Sequence, residues 1–187
     1  ICLTLSHGDA ATGYSFDQYT ASAGTLSGTT LTMPDADVTI NATWTENTAT
    51  LTDGDDLSAL SAWAGKTCTV TYTRSFTAGK PSTVCLPFAY AKKAADGSFY
   101  AFTNIEKVGS DYVATMTEPG ASTLEANTPY LFTPAASSVT FTGTIADVPA
   151  TFTAGETTSN GWTFKGTYET IQWETAPATP TYGFSAG

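Results

Sequence analysis

The chain has 187 residues, of which 13% are charged, and its 7 basic against 17 acidic residues give a net charge of −10. A surface of that sign repels phosphate backbones, and a single arginine, Arg74, makes no patch that clamps an anionic polymer, which argues against nucleic acid as a partner. No apolar run approaches the roughly 20 residues that a membrane-spanning helix needs, which argues against membrane insertion.

Roughly one residue in five is threonine, well above the usual share. Its β-branched side chain favours strands and its hydroxyl suits their wet face. In chain order, short strands are predicted over Cys2–Leu5, Ser15–Tyr19, Leu26–Met33 and Val38–Trp44, punctuated by Gly8, Gly13, Gly24 and Gly28. In the last of these, Val38, Ile40, Ala42 and Trp44 alternate with Thr39, Asn41 and Thr43. A period of two marks a half-buried strand. Pro34-Asp35-Ala36-Asp37 before it makes a tight turn.

Residues 46–56 are polar and rich in turn formers, which sets a boundary. The division is a small β-module over 1–46, a linker over 47–65, and a larger module over 66–187. Within the linker Asp56 caps a short helix, Leu57–Trp63, that Gly65 ends. Cys68–Arg74 then alternates cleanly, and the apolar run Ser82–Phe88 reads as a central strand. Further strands follow over Ser98–Val108, Tyr112–Met116, Thr128–Phe132, Ser138–Ile145, Ala150–Phe152 and Gly161–Tyr168. Such spacing suggests a sandwich or a barrel, and an antiparallel β-sandwich is the expected form. Tyr182–Ser185 reads as the start of another strand. A chain that opens at Ile1 without a basic, apolar leader fits a mature or excised piece of a larger exported protein.

Gly13-Tyr14-Ser15-Phe16, followed by Thr32-Met33-Pro34-Asp35-Ala36-Asp37-Val38-Thr39-Ile40-Asn41-Ala42-Thr43-Trp44, resembles bacterial repeat modules related to the internalin B-repeat. The resemblance covers about the first quarter of the chain. It departs from the pattern where a tryptophan a few residues after Gly-Tyr is replaced, Tyr19 being the nearest aromatic. Farther on, Arg74-Ser75-Phe76, Ser82–Phe88 and Leu124–Leu131 are similar to β-modules of large Bacteroides-type surface proteins. Both resemblances imply an extracellular or cell-surface multidomain protein in which such modules serve as stalks, spacers or adhesion units. Neither supplies catalytic residues.

Candidate chemistry is sparse. His7 is the only histidine, so any Ser-His or Cys-His pair must use it, yet Ser6-His7-Gly8-Asp9 reads as a solvated loop. No spacing of His and Cys suits a metal. The oxygen-rich run Asp53-Gly54-Asp55-Asp56 is a candidate calcium site through Asp53, Asp55 and Asp56, with Asp35 and Asp37 a lesser one. The plainer reading is a polar linker with Asp56 as a cap. Glu106, Glu118, Glu125, Glu169 and Glu174 supply carboxylates for glycoside cleavage, but the sequence does not pair them.

Aromatic residues are the stronger candidates. Trp162, Phe164 and Tyr168 read as the buried face of a strand. Phe99-Tyr100-Ala101-Phe102 puts rings on both faces, which makes Tyr100 a ligand candidate. Trp173 and Tyr182 are the others, Trp173 being flanked by Gln172 and Glu174 as a sugar-stacking ring would be. Asn41-Ala42-Thr43 matches a glycosylation sequon but reads as coincidence on a polar strand face.

Cys2, Cys68 and Cys85 are an odd set. A hairpin from Thr67–Arg74 to Thr83–Phe88, turning near Gly79, sets Cys68 opposite residues near Phe88 and Cys85 opposite Tyr72. A bridge then needs a register slip, so buried free thiols are favoured over a disulfide. The expected function is a non-catalytic structural or adhesion module whose partners are neighbouring domains of the same polypeptide, with a host surface protein or a glycan as further candidates. No cofactor is expected apart from the calcium candidate. The alternative is a carbohydrate-binding module of a polysaccharide-utilising system.

Overall fold

The computed structural model describes residues 1–168. The candidates Trp173 and Tyr182, the carboxylates Glu169 and Glu174 and the strand expected at Tyr182–Ser185 lie outside the described residues.

The first part of the chain forms β1 (Cys2–Thr4), β2 (Tyr14–Ala21), β3 (Thr25–Ser27), β4 (Thr30–Thr32) and β5 (Ile40–Glu46). They make a three-stranded sheet, β1-β4-β3, and a two-stranded ribbon, β2-β5. The single strand expected over Leu26–Met33 is a hairpin instead. Gly28 takes φ 57, a left-handed conformation that a side chain resists, and folds the chain back so that Ser27 pairs with Thr30. Leu31 is fully buried beneath this sheet and Tyr19 is 8% exposed. The alternation in β5 does order one face, where Trp44 lies opposite Phe16 and Ala42 opposite Tyr19. Its burial is shallow, however, and every residue of β5 is exposed, Trp44 to 37%. A module this small has too little interior to cover both strands of the ribbon.

The second part holds β6 (Thr48–Thr52), a 3₁₀ helix (Leu57–Trp63), β7 (Cys68–Ser75), β8 (Ser82–Cys85), β9 (Tyr90–Ala91), β10 (Gly97–Val108), β11 (Asp111–Thr117), β12 (Thr123–Leu124), β13 (Pro129–Pro134), β14 (Ser138–Ile145), β15 (Glu156–Ser159) and β16 (Trp162–Lys165). One sheet runs β14-β7-β6 and another β11-β10-β13-β8. Between them Phe99 and Phe132 stack with ring centroids 4.4 Å apart, and Phe141 of β14 meets Phe132 edge-on at 5.8 Å. Leu51, Leu60, Val70, Val84, Phe88 and Tyr90 complete this core. The outer face of the β14-β7-β6 sheet shows what part of the threonine content does. Thr48–Thr69–Thr144, Thr50–Thr71–Thr142 and Thr52–Thr73–Thr140 form three rows across its strands. Each branched side chain supports the next across the pleat.

Several expectations change. Part of the segment 47–65, read as a linker, is built into the β14-β7-β6 sheet: Thr48–Thr52 forms β6, which pairs with β7, and Leu51 is 1% exposed. That pairing is parallel, the exception among the strand pairs of the described residues, and the 3₁₀ helix lies in the crossover it requires. The helix has the expected bounds and the expected cap, with Ser58 N–H donating to Asp56 Oδ1 at 2.9 Å. Cys68 and Cys85 are not on one hairpin. Cys68 pairs with Ile145 and Cys85 with Pro129, in different sheets, and all three cysteines are free. β8 is an edge strand rather than a central one, although Val84 within it is 2% exposed. Ala150–Phe152 is not a strand. Trp162 and Phe164 belong to a separate hairpin, β15-β16, and are half-buried outside the main core, because that hairpin covers β10 instead of joining a sheet.

Candidate functional site

Asn47 sits where β5 passes into β6, a single residue from each. It is the one buried polar residue among those described, 1% exposed, and all four of its polar groups are engaged. Its N–H donates to Gly13 O at 2.7 Å and its carbonyl accepts from Thr69 N at 2.9 Å. Its side chain accepts from Ser15 Oγ at 2.7 Å and donates to Thr67 O at 2.9 Å. Lys66 Nζ adds a bond to Ser15 Oγ at 3.2 Å. A buried amide so fully satisfied fixes geometry, since any rotation leaves a polar group unmet. Gly13 and Ser15 belong to the first part of the chain and Thr67 and Thr69 to the second, so this residue clamps the two together.

The acidic run does not converge. Asp53 pairs with Arg74 Nε at 3.0 Å and accepts from Ser75 N at 2.9 Å. Asp55 accepts from the N–H and the hydroxyl of Thr52, at 2.7 and 2.8 Å. Asp56 caps the helix, and the side-chain and backbone bonds from Ser58 hold its carboxyl below the usual range. Among the described residues no three such ligands gather, Asp35 and Asp37 included. Each carboxylate of the run is turned to a donor of its own chain.

A cleft beside that run is lined by Tyr72, Arg74, Cys85, Phe164 and Tyr168. Cys85 donates to Tyr168 Oη at 3.6 Å, and that hydroxyl donates to Asn127 Oδ1 at 2.7 Å. Burial pushes the Cys85 thiol up, against smaller lowering by Tyr168 and Gly155. Burial first, and then Cys85, push Tyr168 up as well. Both groups therefore stay neutral near pH 7, and the thiol is poorly nucleophilic. Gly166 fits here because a Cβ would stand 2.8 Å from Cys85 Sγ.

Two groups of rings lie toward solvent. Tyr100 is half-buried in β10, between Phe99, which belongs to the main core, and Phe102, which is buried on the opposite face with its ring 6.1 Å from Phe164. Farther along the β10-β11 hairpin Tyr112 is 54% exposed and stands 5.0 Å from Trp162. Lys107 Nζ is 5.9 Å from the Tyr112 ring centre. In the first part, His7 lies on Phe16 at 4.1 Å and meets Trp44 edge-on at 5.1 Å. The loop residue is thus exposed but packed, not simply solvated.

Sequence reasoning passed over Asn47, whose only signal is a polar residue at the point where strand alternation breaks. Tyr112 is an ordinary strand residue by pattern, and only the length of the hairpin brings it beside Trp162. Residues 8–48 match the family described as the divergent InlB B-repeat domain. No curated protein and no solved structure matches the chain. Among the described residues no helix is long and apolar enough to cross a membrane.

Proposed function

We propose that the chain is a non-catalytic spacing and adhesion segment of a bacterial surface or secreted multidomain protein. The observation that carries this reading is the Asn47 clamp. A spacer transmits position only if its modules hold a fixed angle, and a buried amide with four bonds across the junction supplies that. The match of residues 8–48 to a bacterial repeat family supports the surface setting. Spin labels on Cys2 and on Ser137→Cys, both exposed positions, test it. A narrow distance distribution is expected, broadened by Asn47→Ala; a broad one in the parent chain refutes the spacer role. Binding of the same chain to matrix proteins or whole cells tests the adhesive role.

A second reading, carbohydrate binding, is favoured by the exposed Tyr112 ring beside Trp162, flanked by Lys107 and by the Asn160–Asn104 side-chain bond of 2.6 Å. Flat rings next to amides suit a sugar, whose faces are apolar and whose edges are polar. Loss of oligosaccharide binding in Tyr112→Ala tests that platform.

A further inference from the structure

We propose that the first module carries a saccharide slot, floored by Phe16, Tyr19 and Trp44 and filled in the free protein by the imidazole of His7. The proposal rests on the carbohydrate reading but places the sugar elsewhere. The floor is set by register. The ladder between β2 and β5 slips between Phe16 and Gln18, so one extra residue, Asp17, is bulged out. Phe16 and Tyr19 therefore share a face that strict alternation would split, opposite Trp44 and Ala42. Their rings lie 4.8 Å apart.

His7 enters from the stretch between β1 and β2, which has no strand of its own. Its ring is nearly parallel to Phe16, at 17° and 4.1 Å, edge-on to Trp44 at 5.1 Å, and 6.2 Å from Tyr19. Its side-chain hydrogen bond goes to Gly8 O, its own neighbour, at 2.6 Å. Aromatic contact is what seats it, and a second ring of similar size can compete for that place.

The independent observation is the Tyr19 hydroxyl. Tyr19 is 8% exposed, and its Oη is the buried side-chain polar atom without a hydrogen-bond partner among the described residues. Phenylalanine would fill the same space without burying an unmet hydroxyl, so this group calls for a partner. A pyranose supplies both needs, an apolar face for Phe16 or Trp44 and a hydroxyl for Tyr19 Oη. A phenylalanine side chain could replace His7 but would leave Oη unmet, whereas a pyranose carries hydroxyls around its whole edge, and it is the occupant the proposal commits to.

Isothermal titration of the full chain with neutral hexasaccharides (α-1,4- and β-1,4-linked glucose, β-1,4-linked xylose, β-1,4-linked mannose) tests the slot. At least one is expected to bind. Tyr19→Phe should weaken it about tenfold while raising the melting temperature, and His7→Ala should tighten it severalfold by removing the competitor. A Tyr19→Phe chain that is more stable and binds equally well overturns the slot. Binding abolished by Tyr112→Ala but unchanged by Tyr19→Phe keeps the carbohydrate reading and overturns this site. If neither the parent nor His7→Ala binds any of the four sugars, both ideas fall.

Discussion

Replacing Asn47 by alanine isolates what its side chain does. The backbone bonds to Gly13 O and from Thr69 N survive, and the bonds with Ser15 Oγ and Thr67 O are lost. A lost bond whose partner stays satisfied costs about 1 kcal/mol net, whereas one that leaves a buried acceptor unmet costs about 1–3 kcal/mol. Ser15 keeps Lys66 Nζ at 3.2 Å, so the larger penalty falls on the Thr67 carbonyl. The expected loss is about 2–4 kcal/mol, a large share of the ~5–15 kcal/mol typical of whole proteins. Urea unfolding followed by tryptophan fluorescence and by far-ultraviolet dichroism reads it as a lower midpoint at unchanged slope. The Ser15→Ala, Asn47→Ala double variant should lose less than the sum of its parts, because both touch one bond. A loss below about 0.5 kcal/mol, or strict additivity with Ser15→Ala, would refute the clamp.

Gly143→Ala should destabilise by about 2–3 kcal/mol, since its Cβ would stand 2.8 Å from Phe88 Cγ and 2.9 Å from Ala89 O in the core. A urea midpoint near that of the parent would show that Phe88 can move aside. Asp56 has a folded pKa below its ordinary 3.8, so the stability it contributes is present above pH 3.8 and is lost as pH falls through the lowered value. The difference in melting temperature between the parent and Asp56→Ala should therefore shrink as pH falls below 3.8, and a difference constant with pH contradicts the cap. Iodoacetamide should modify the exposed Cys2 first, leaving Cys68 and Cys85, whose thiols burial pushes up, until the chain is unfolded. Peptide mass mapping checks this, and a Cys68–Cys85 bridge in the unreduced map contradicts the observed sheets.

Local rules made much of this fold legible. The alternation of Ser138–Ile145 gave a strand with those bounds, and Asp56 ahead of Leu57–Trp63 gave the helix and its cap. These features depend on a few neighbouring residues, so sequence is enough to find them. Register was not legible in the same way. Nothing near Cys68 says that it pairs with Ile145 rather than with residues after Gly79, because that choice is made by the shared phenylalanine core. The 47–65 segment was misread for a related reason. Thr48–Thr52 is polar on its wet face, and only Leu51 and Ala49 show that the other face packs inward.

The candidate sites follow the same division. Threonine abundance, low charge and the Met33-Pro34 turn by themselves determined an all-β chain with a repeat-like first module. Tertiary structure alone decided that Asn47 is a clamp, that the Asp53–Asp56 carboxylates are each turned to a donor of their own chain, and that Tyr19 buries a hydroxyl with no partner among the described residues. The physical reason is that periodicity fixes which way a side chain points, whereas its partners come from strands far away in sequence, as Thr69 and Thr144 meet across β7 and β14.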